Sequence, residues 1–371
     1  MRESGERESG MIRIAIAAAL LLAPAAVLAE SRLTGDLPRK DGKPLEDLPG
    51  LQTEYGSVRT SEGIRLRTII TRPTGTTKKL PAIFHTQAVS CGSLELPADR
   101  LTVLGGLAQK SGMALIRVER AGTSDSEGPG CDKLDYDTEV RHYREALDQL
   151  TKHSWIDPDR IVIYGSSLGS TTAPLVAQGR KIAGIVVHGG GAATYLERMI
   201  NFDRLYLERS GKFRPEQIHD EMIRRIAFQQ LYLIGKKTPE QIAAERPDLA
   251  GVWQSIRGGA EAPPHYGRPY AWHWQAADKN FLAAWAKIEA PVMVAYSSFD
   301  QFEPRASHKV IVDAVNRLRP GTAKLVPLNG YDHSVWRYPD EFAAYREEGG
   351  VRSPEALLDP ILAWLKEAVP L

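Results

Sequence analysis

The stretch that decides the fold runs Ile161-Val162-Ile163-Tyr164-Gly165-Ser166-Ser167-Leu168-Gly169-Ser170. It opens with four apolar or aromatic residues, typical of a buried strand, and continues through the pattern G-x-S-x-G into a helix-length segment. A serine on so tight a turn requires small residues two positions before and two after it, and Gly165 and Gly169 meet that requirement. The pattern predicts that Ser167 is a nucleophile. The alternative is a glycine- and serine-rich turn that binds a ligand without attacking it.

The chain around this motif alternates short β-branched runs with amphipathic segments of helix length. This alternation predicts an α/β fold, a mostly parallel eight-stranded sheet with helices on both faces. Only five residues separate the first two strands, so we expect these two to pair antiparallel at one end of the sheet. The expected strands are 54–59, 65–72, 81–86, 114–118, 161–164, 184–188, 292–296 and 323–327. The expected helices are 101–110, 136–152, 168–178, 304–317 and 354–367.

Between the sixth and seventh strands, residues 192–290 form an insertion in which helical spacing replaces the alternation. Thr238-Pro239-Glu240-Gln241 is typical of a helix start, with a threonine cap and a capping-box glutamine. We expect a helical cap that divides the α/β core into residues 30–191 and 291–371. The aromatic side chains of the insertion either line a ligand site or form a small core of their own. Four of the seven tryptophans lie here, Trp253, Trp272, Trp274 and Trp285.

A serine hydroxyl is a weak nucleophile and needs a base within hydrogen-bond reach, together with a carboxylate that orients the base. Asp300 comes directly after the expected strand 292–296, and His333 follows the strand 323–327. Asp332 competes with Asp300 for the role of the acid. A direct sequence neighbour of His333 points elsewhere on so tight a turn, so we favour Asp300.

The other histidines have ordinary structural interpretations. His85 and His188 end expected strands and could face the same site, although hydrogen-bonded histidines of the core or the rim are more common. His142 lies in an expected helix, where we place it on the surface. Neither H-E-x-x-H nor another zinc-binding spacing occurs, and we expect no metal and no organic cofactor.

Composition and the N-terminus bear on partners and location. The 47 Lys and Arg residues nearly balance 46 Asp and Glu residues, which argues against a broad basic surface for nucleic acid. The apolar run in residues 11–29 ends Val27-Leu28-Ala29 and predicts a signal peptide, residues 1–29, with an uncleaved membrane anchor as the alternative. We therefore expect a secreted or periplasmic protein without stable membrane insertion after cleavage. In that oxidising compartment Cys91 and Cys131 can pair, and two free buried cysteines are the alternative.

With the order Ser, Asp, His, nearly the whole chain beyond the leader resembles the α/β-hydrolase superfamily. The run Trp155-Ile156-Asp157-Pro158-Asp159-Arg160 resembles the entry to the nucleophile in prolyl oligopeptidase-like and dienelactone hydrolase-like members. The loop Arg120-Ala121-Gly122-Thr123-Ser124-Asp125-Ser126-Glu127-Gly128 is similar to R-G-x-G-x-S-x-G, also found in the X-prolyl peptidase and cocaine esterase group, with Ala121 and Ser124 in place of glycine. The ending Ser167-Leu168-Gly169-Ser170 resembles esterases more than peptidases.

The resemblance implies a pair of backbone amides that stabilise the oxyanion formed during acyl transfer. One is the amide of Leu168. The other belongs to the loop after the third strand, where Ala88 or Val89 occupies the corresponding position. Cys91 lies in this same loop, so we hypothesise that the disulfide to Cys131 stiffens it.

The sequence therefore predicts an exported serine hydrolase that cleaves carboxylic esters through an acyl-enzyme intermediate. In this prediction Ser167 attacks, His333 transfers the proton and Asp300 orients His333. The alternative is an exported aminopeptidase or prolyl-type peptidase on the same fold, and a second alternative is a non-catalytic binding protein. A peptidase would need a carboxylate for the peptide N-terminus, and the candidates in the insertion are Glu197, Asp203 and Glu208. The expected partner is a small-molecule ester or a short peptide.

Overall fold

The structure, a computed structural model, describes residues 37–369 except 41, 43, 192 and 257–264. The predicted signal peptide, residues 1–29, lies outside the described residues. Within the described part of the chain, no helix combines the length and the apolar character that crossing a membrane requires.

The core is one eight-stranded sheet with the strand order β1-β2-β4-β3-β5-β6-β7-β8. The first strand pairs antiparallel with the second, the second pairs antiparallel with the fourth, and the remaining neighbours are parallel. The predicted mostly parallel sheet is thus confirmed. Its strands are β1 (Leu51–Arg59), β2 (Arg65–Pro73), β3 (Leu80–Thr86), β4 (Ala114–Val118), β5 (Ile156–Ser166), β6 (Gly184–His188), β7 (Val292–Ser297) and β8 (Ala323–Leu328). The short strands β9 (Trp336–Arg337) and β10 (Val351–Arg352) form a separate pair.

Twelve helices accompany the strands within the described residues. They are α1 (Val103–Lys110), α2 (Tyr136–Leu150), α3 (Gly169–Ala177), α4 (Tyr195–Arg209), α5 (Pro215–Gln229), α6 (Pro239–Glu245), α7 (Val252–Ile256), α8 (Tyr270–Ala277), α9 (Phe281–Ala286), α10 (Arg305–Leu318), α11 (Glu341–Arg346) and α12 (Glu355–Ala368). A π-helical turn, Gln230–Ile234, continues α5. All five helices predicted from the sequence are present, and their ends differ from the predicted ones by at most two residues.

Two apolar clusters cover the two faces of the sheet. Successive side chains of a strand point to opposite faces, and along β3 Phe84 belongs to one cluster while Ile83 belongs to the other. The first cluster includes residues of α2, α3 and α10, and the second includes residues of α1 and α12. Central strands such as β6 and β7 are largely apolar because helices bury them on both sides.

The chain between β6 and β7 contains α4 to α9 and builds a third apolar cluster. Helix α6 begins as its sequence predicts, since the Thr238 hydroxyl accepts a hydrogen bond from the Gln241 amide and the Gln241 side chain accepts one from the Thr238 amide. Trp253 and Trp272 are buried in this cluster, while Trp285 packs into the first cluster of the sheet. Whether the segment acts as a separate cap domain stays a prediction.

Cys91 and Cys131 form a disulfide, with a distance of 6.1 Å between their Cα atoms. The bond joins the loop after β3 to the segment after β4 and closes a stretch of chain with a sequence separation of 40. On the chain-entropy model such a crosslink stabilises the folded state by about 4 kcal/mol, because it restricts the unfolded chain.

Replacing both cysteines by serine should therefore lower the free energy of unfolding by up to about 4 kcal/mol, measured by chemical denaturation. The denatured, unreduced wild-type protein should show no free thiol and two after reduction. Two free thiols before reduction would contradict the pairing.

Candidate functional site

Ser167 lies at the turn from β5 into α3. It adopts a left-handed backbone conformation with φ of 51°, which is rare for residues other than glycine and indicates local strain. Its amide donates a 2.7 Å hydrogen bond to the carbonyl of His188 at the end of β6. A Cβ atom at Gly165 or Gly169 would overlap backbone atoms of neighbouring segments, so both positions need glycine. This geometry is that of a nucleophile elbow.

Asp300 and His333 follow β7 and β8, the last two strands of the sheet. His333 Nδ1 lies 2.8 Å from Asp300 Oδ2. Oδ1 of the same carboxylate accepts hydrogen bonds from the amides of Phe302 and Glu303 at 2.8 and 2.9 Å. The Asp300 side chain is fully buried. The contacts of both of its oxygens fix its orientation. The structure thus brings together the histidine and the aspartate favoured by the sequence.

The electrostatics of this pair follow from its burial and its short distance. Burial alone disfavours the charged form of each group, but the opposite charge and the hydrogen bond of its partner outweigh it. The pKa of Asp300 is consequently lowered to about 2. The pKa of His333 is raised above its ordinary value of 6.5 for the same reason. Asp300 therefore stays ionised and favours the protonated form of His333.

Asp332, the competing acid, is occupied elsewhere. Its Oδ1 accepts hydrogen bonds from the amides of Ser334 and Trp336 at 3.0 and 2.7 Å. Oδ2 accepts a 3.3 Å hydrogen bond from the side chain of Gln301. Asp332 therefore shapes the turn that carries His333, while Asp300 contacts the imidazole itself.

The other histidines considered in the sequence analysis have structural contacts, and the position predicted for one of them is wrong. His188 lines the site, and its Nε2 lies 3.1 Å from Ser297 Oγ. His85 stacks on Tyr164, with a hydrogen bond of 3.2 Å between its Nε2 and Ser166 Oγ. The prediction that His142 lies on the surface is wrong, because the hairpin turn between β1 and β2 packs over this face of α2 and leaves the histidine 4% exposed. Its Nε2 lies 3.4 Å from a carboxylate oxygen of Glu62 in that turn.

Ser167 and His333 share a cavity of about 360 Å³, within the usual range of small-molecule sites. The three residues expected to supply oxyanion donors, Leu168, Ala88 and Val89, all line it. Leu168 is the N-cap residue of α3, where backbone amides have no partner within the helix. The wall facing these residues is mainly apolar and aromatic, formed by Tyr195, Met199, Phe202, Tyr266 and Phe302.

None of the carboxylates considered for a peptide N-terminus lines this cavity. Asp203 is buried against Arg225, 2.6 Å away, and accepts a second hydrogen bond from Gln229. Glu197 accepts a hydrogen bond from the amide of Ala193 at the start of α4. Glu208 is half exposed on the same helix, 3.8 Å from Arg204. None of the four tryptophans of the segment lines the cavity either, so its aromatic wall consists of Tyr and Phe.

Sequence reasoning missed an ion pair at the edge of the site. Arg198 lines the cavity, and its Nε lies 2.6 Å from Glu303 Oε1, with both side chains almost fully buried. Burial and the nearby Asp300 charge outweigh the attraction of Arg198 and raise the pKa of Glu303 to about 7. No spacing or motif connects two residues so far apart in the chain.

In the described part of the chain, no group of three or more His, Cys, Asp or Glu side chains is arranged to hold a metal ion.

An eight-stranded sheet with a serine at the turn after β5, an acid after β7 and a histidine after β8 defines an α/β hydrolase. The model of the alpha/beta hydrolase family matches residues 94–345, and the chain belongs to this family. The resemblance inferred from the sequence is therefore confirmed.

The chain is also similar to individual proteins. Over 129 residues, 35% of its length, it is 30% identical to a polyketide transferase of Stachybotrys chlorohalonatus and spans about two fifths, 41%, of that relative. An esterase of Pyrococcus furiosus superposes with a TM-score of 0.52 at 12% identity, covering 90% of this chain and 98% of that one. An α/β hydrolase from Penicillium sp. sh18 gives 0.52 at 14% identity, covering 86% and 100%. These two structures share the fold.

The raised pKa of Glu303 predicts how the free energy of unfolding depends on pH. An unfolded glutamate with a pKa of 4.5 loses its proton well before the folded one, whose pKa is about 7. The contribution of Glu303 is therefore fully present below pH 4.5 and is lost as the pH rises to 7, amounting to about 3 kcal/mol. Denaturation at several pH values should show that Glu303→Gln removes this downward slope. Parallel pH profiles for the two proteins would contradict the assignment.

Proposed function

We propose that this protein is an exported serine hydrolase that cleaves carboxylic esters through an acyl-enzyme intermediate. The observation that carries the proposal is the 2.8 Å contact between His333 Nδ1 and Asp300 Oδ2, in a cavity that also contains the strained Ser167. A buried carboxylate on Nδ1 leaves Nε2 of His333 to accept the serine proton.

The reaction divides into two similar halves. His333 Nε2 takes the proton of Ser167 Oγ as this oxygen bonds to the ester carbon, and the carbonyl electron pair moves onto its oxygen. The amide of Leu168 and that of Ala88 or Val89 stabilise the resulting oxyanion. When the carbonyl reforms, the bond to the alcohol oxygen breaks and the leaving alcohol takes the proton from His333. Water then attacks the acyl-enzyme by the same route and regenerates Ser167.

The cavity favours a small-molecule ester with an apolar or aromatic group. Tyr195, Met199 and Phe202 project from one helix, α4, onto the space beside Ser167, and Phe302 adds another ring. Burying an apolar group against them contributes roughly 25 cal/mol for each Å² removed from water. A peptidase is less well supported, because the carboxylates that could bind a peptide N-terminus lie outside the cavity.

Export rests on two independent features. Residues 1–29 have the charge and hydropathy pattern of a signal peptide. The disulfide between Cys91 and Cys131 is a bond that persists in oxidising compartments. Together they support secretion or a periplasmic location.

Labelling with a fluorophosphonate tests the nucleophile. Wild-type protein should gain one adduct by intact mass, and Ser167→Ala should gain none, because only an activated serine reacts. Ser166→Ala is the matched control, since Ser166 is the adjacent serine and lines the same cavity, and it should still be labelled. Absence of labelling in folded wild-type protein, or its persistence in Ser167→Ala, would refute the proposed chemistry.

The pH dependence tests the base. His333 must be neutral to accept a proton, so kcat/KM for a p-nitrophenyl ester should fall as the pH drops through the His333 pKa, which lies above 6.5. Asp300→Asn removes the charge that raises this pKa and should lower kcat by about 10⁴-fold, as the equivalent change does in serine proteases. Its remaining activity should have a midpoint at lower pH than wild type. A rate independent of pH between 5 and 8 would contradict this role.

A further inference from the structure

One guanidinium group binds three carbonyl oxygens of the loop after β3. Arg120 Nη2 donates hydrogen bonds to the carbonyls of Gln87 and Ala88 at 3.1 and 2.6 Å, and Nη1 donates to the carbonyl of Ser90. Arg120 lies two residues after the end of β4, in the loop whose sequence resembles R-G-x-G-x-S-x-G, and is 3% exposed. A planar guanidinium with five donors can hold several acceptors in a fixed arrangement.

These hydrogen bonds also set the direction of the loop amides. In a trans peptide group the carbonyl and the following amide point in opposite directions. Because the Gln87 and Ala88 carbonyls point toward Arg120, the amides of Ala88 and Val89 point away from it. Both residues line the cavity beside Ser167. These are the two amides proposed as the second oxyanion donor.

The carbonyl of Val89, between Ala88 and Ser90 in the same loop, is bound by a residue of the segment between β6 and β7. Arg268 Nη2, just before α8, donates a 3.1 Å hydrogen bond to the carbonyl of Val89. Arg268 Nη1 also lies 3.1 Å from Oε2 of Glu139 on α2, and Arg120 Nε lies 2.8 Å from Oε1. Trp272 on α8 donates its indole N–H to Glu139 at 3.1 Å.

Glu139 thus connects the two arginines inside the protein, where it is 1% exposed. Burial would raise its pKa, but the charges of Arg120 and Arg268 and the hydrogen bond from Trp272 outweigh this and lower it. The carboxylate stays ionised and offsets part of the two positive charges. Removing one partner of such a network would leave an uncompensated buried charge.

We propose that Arg268 is a positioning residue for the oxyanion loop, acting together with Arg120 and Glu139. The segment between β6 and β7 then takes part in the chemistry, in addition to forming a wall of the cavity. The inference rests on the proposed function, since it presupposes an oxyanion formed at Ser167. It assigns no catalytic contact to Arg268 itself, which holds the Val89 carbonyl in the peptide group next to the one that carries the Val89 amide.

The test compares Arg268→Met with Arg225→Met. Arg225 is the matched control because it is a buried arginine of the same segment whose side chain lies 2.6 Å from Asp203 and donates hydrogen bonds to Asp203 and Ser255. The probe is an alkyl trifluoromethyl ketone, to which Ser167 adds to form an oxyanionic hemiketal. The corresponding alcohol occupies the cavity without forming an oxyanion. Melting temperatures establish that each variant is folded.

Arg268→Met should weaken binding of the trifluoromethyl ketone at least about 10-fold and lower kcat by about 10- to 100-fold, less than the roughly 10²- to 10³-fold loss when an oxyanion donor is removed outright. Binding of the alcohol and KM should change less than about threefold. Arg225→Met should leave the ratio of the two affinities unchanged. Arg268→Lys, which keeps the charge but lacks the planar fork, should lie between wild type and Arg268→Met. Equal losses for ketone and alcohol, or equal effects in both methionine variants, would overturn the proposal.

Amide hydrogen exchange gives a readout that does not depend on activity. The peptide covering residues 87–91 should exchange faster in Arg268→Met than in wild type and should be unchanged in Arg225→Met. Unchanged exchange in Arg268→Met would also overturn the proposal. If the wild-type protein binds no trifluoromethyl ketone, the proposed ester chemistry fails, while the exchange comparison still decides whether Arg268 holds the loop. Should a methionine variant not fold, Arg268→Lys and Arg225→Lys are compared in the same two measurements.

Discussion

The close approach of three backbone segments around Ser167 is the constraint on which the site depends. A side chain at Gly169 would overlap the Thr86 carbonyl at the end of β3, and one at Gly190 would overlap the Ser167 carbonyl. The loops after β3, β5 and β6 can therefore meet without side chains between them. The Thr86 hydroxyl reinforces the approach with a 2.9 Å hydrogen bond to the Gly169 carbonyl. This proximity brings the loop at residues 87–90 next to the serine.

Buried ion pairs join loops and chain segments to the sheet. Besides the network around Glu139, Arg198 pairs with Glu303 beside the cavity, and Arg117 binds both oxygens of Glu46 near the start of the sheet. Removing such charges from water costs several kcal/mol per ion, so these pairs contribute little net stability. Their effect is to fix orientation, because a planar guanidinium can donate hydrogen bonds to its acceptors in only a few arrangements. The pairs therefore fix how loops sit on a sheet that apolar burial already stabilises.

The strands of the sheet, and the positions of polar residues at their ends, can be predicted from the sequence because burial leaves a pattern in it. Strands buried on both faces, such as β5 and β7, appear as continuous apolar runs, and their carboxyl ends meet at one edge. Ser167, Asp300 and His333 follow such runs and were placed from local patterns alone. The burial of His142 and the pairing of Arg268 with Glu139 were not recovered, since both depend on contacts between distant segments. The cavity wall of Tyr195 and Phe202 was missed in part, because an aromatic residue in a helix gives no sign of which side faces a ligand.

The segment between β6 and β7 performs two tasks with different side chains. Tyr195, Met199 and Phe202 of α4 line the cavity, whereas Arg268 and Trp272 contact Glu139. The two groups still belong to one body, because Tyr195 Oη lies 3.0 Å from Nδ1 of His273 on α8 and its ring packs against Trp272. Side chains of α4 can consequently change which ligand fits the cavity without changing the residues that hold the loop at residues 87–90. Arg268, which binds the carbonyl of Val89, comes just before α8 in the chain. The wall of the cavity and the loop at residues 87–90 are thus connected through the packing of α4 on α8.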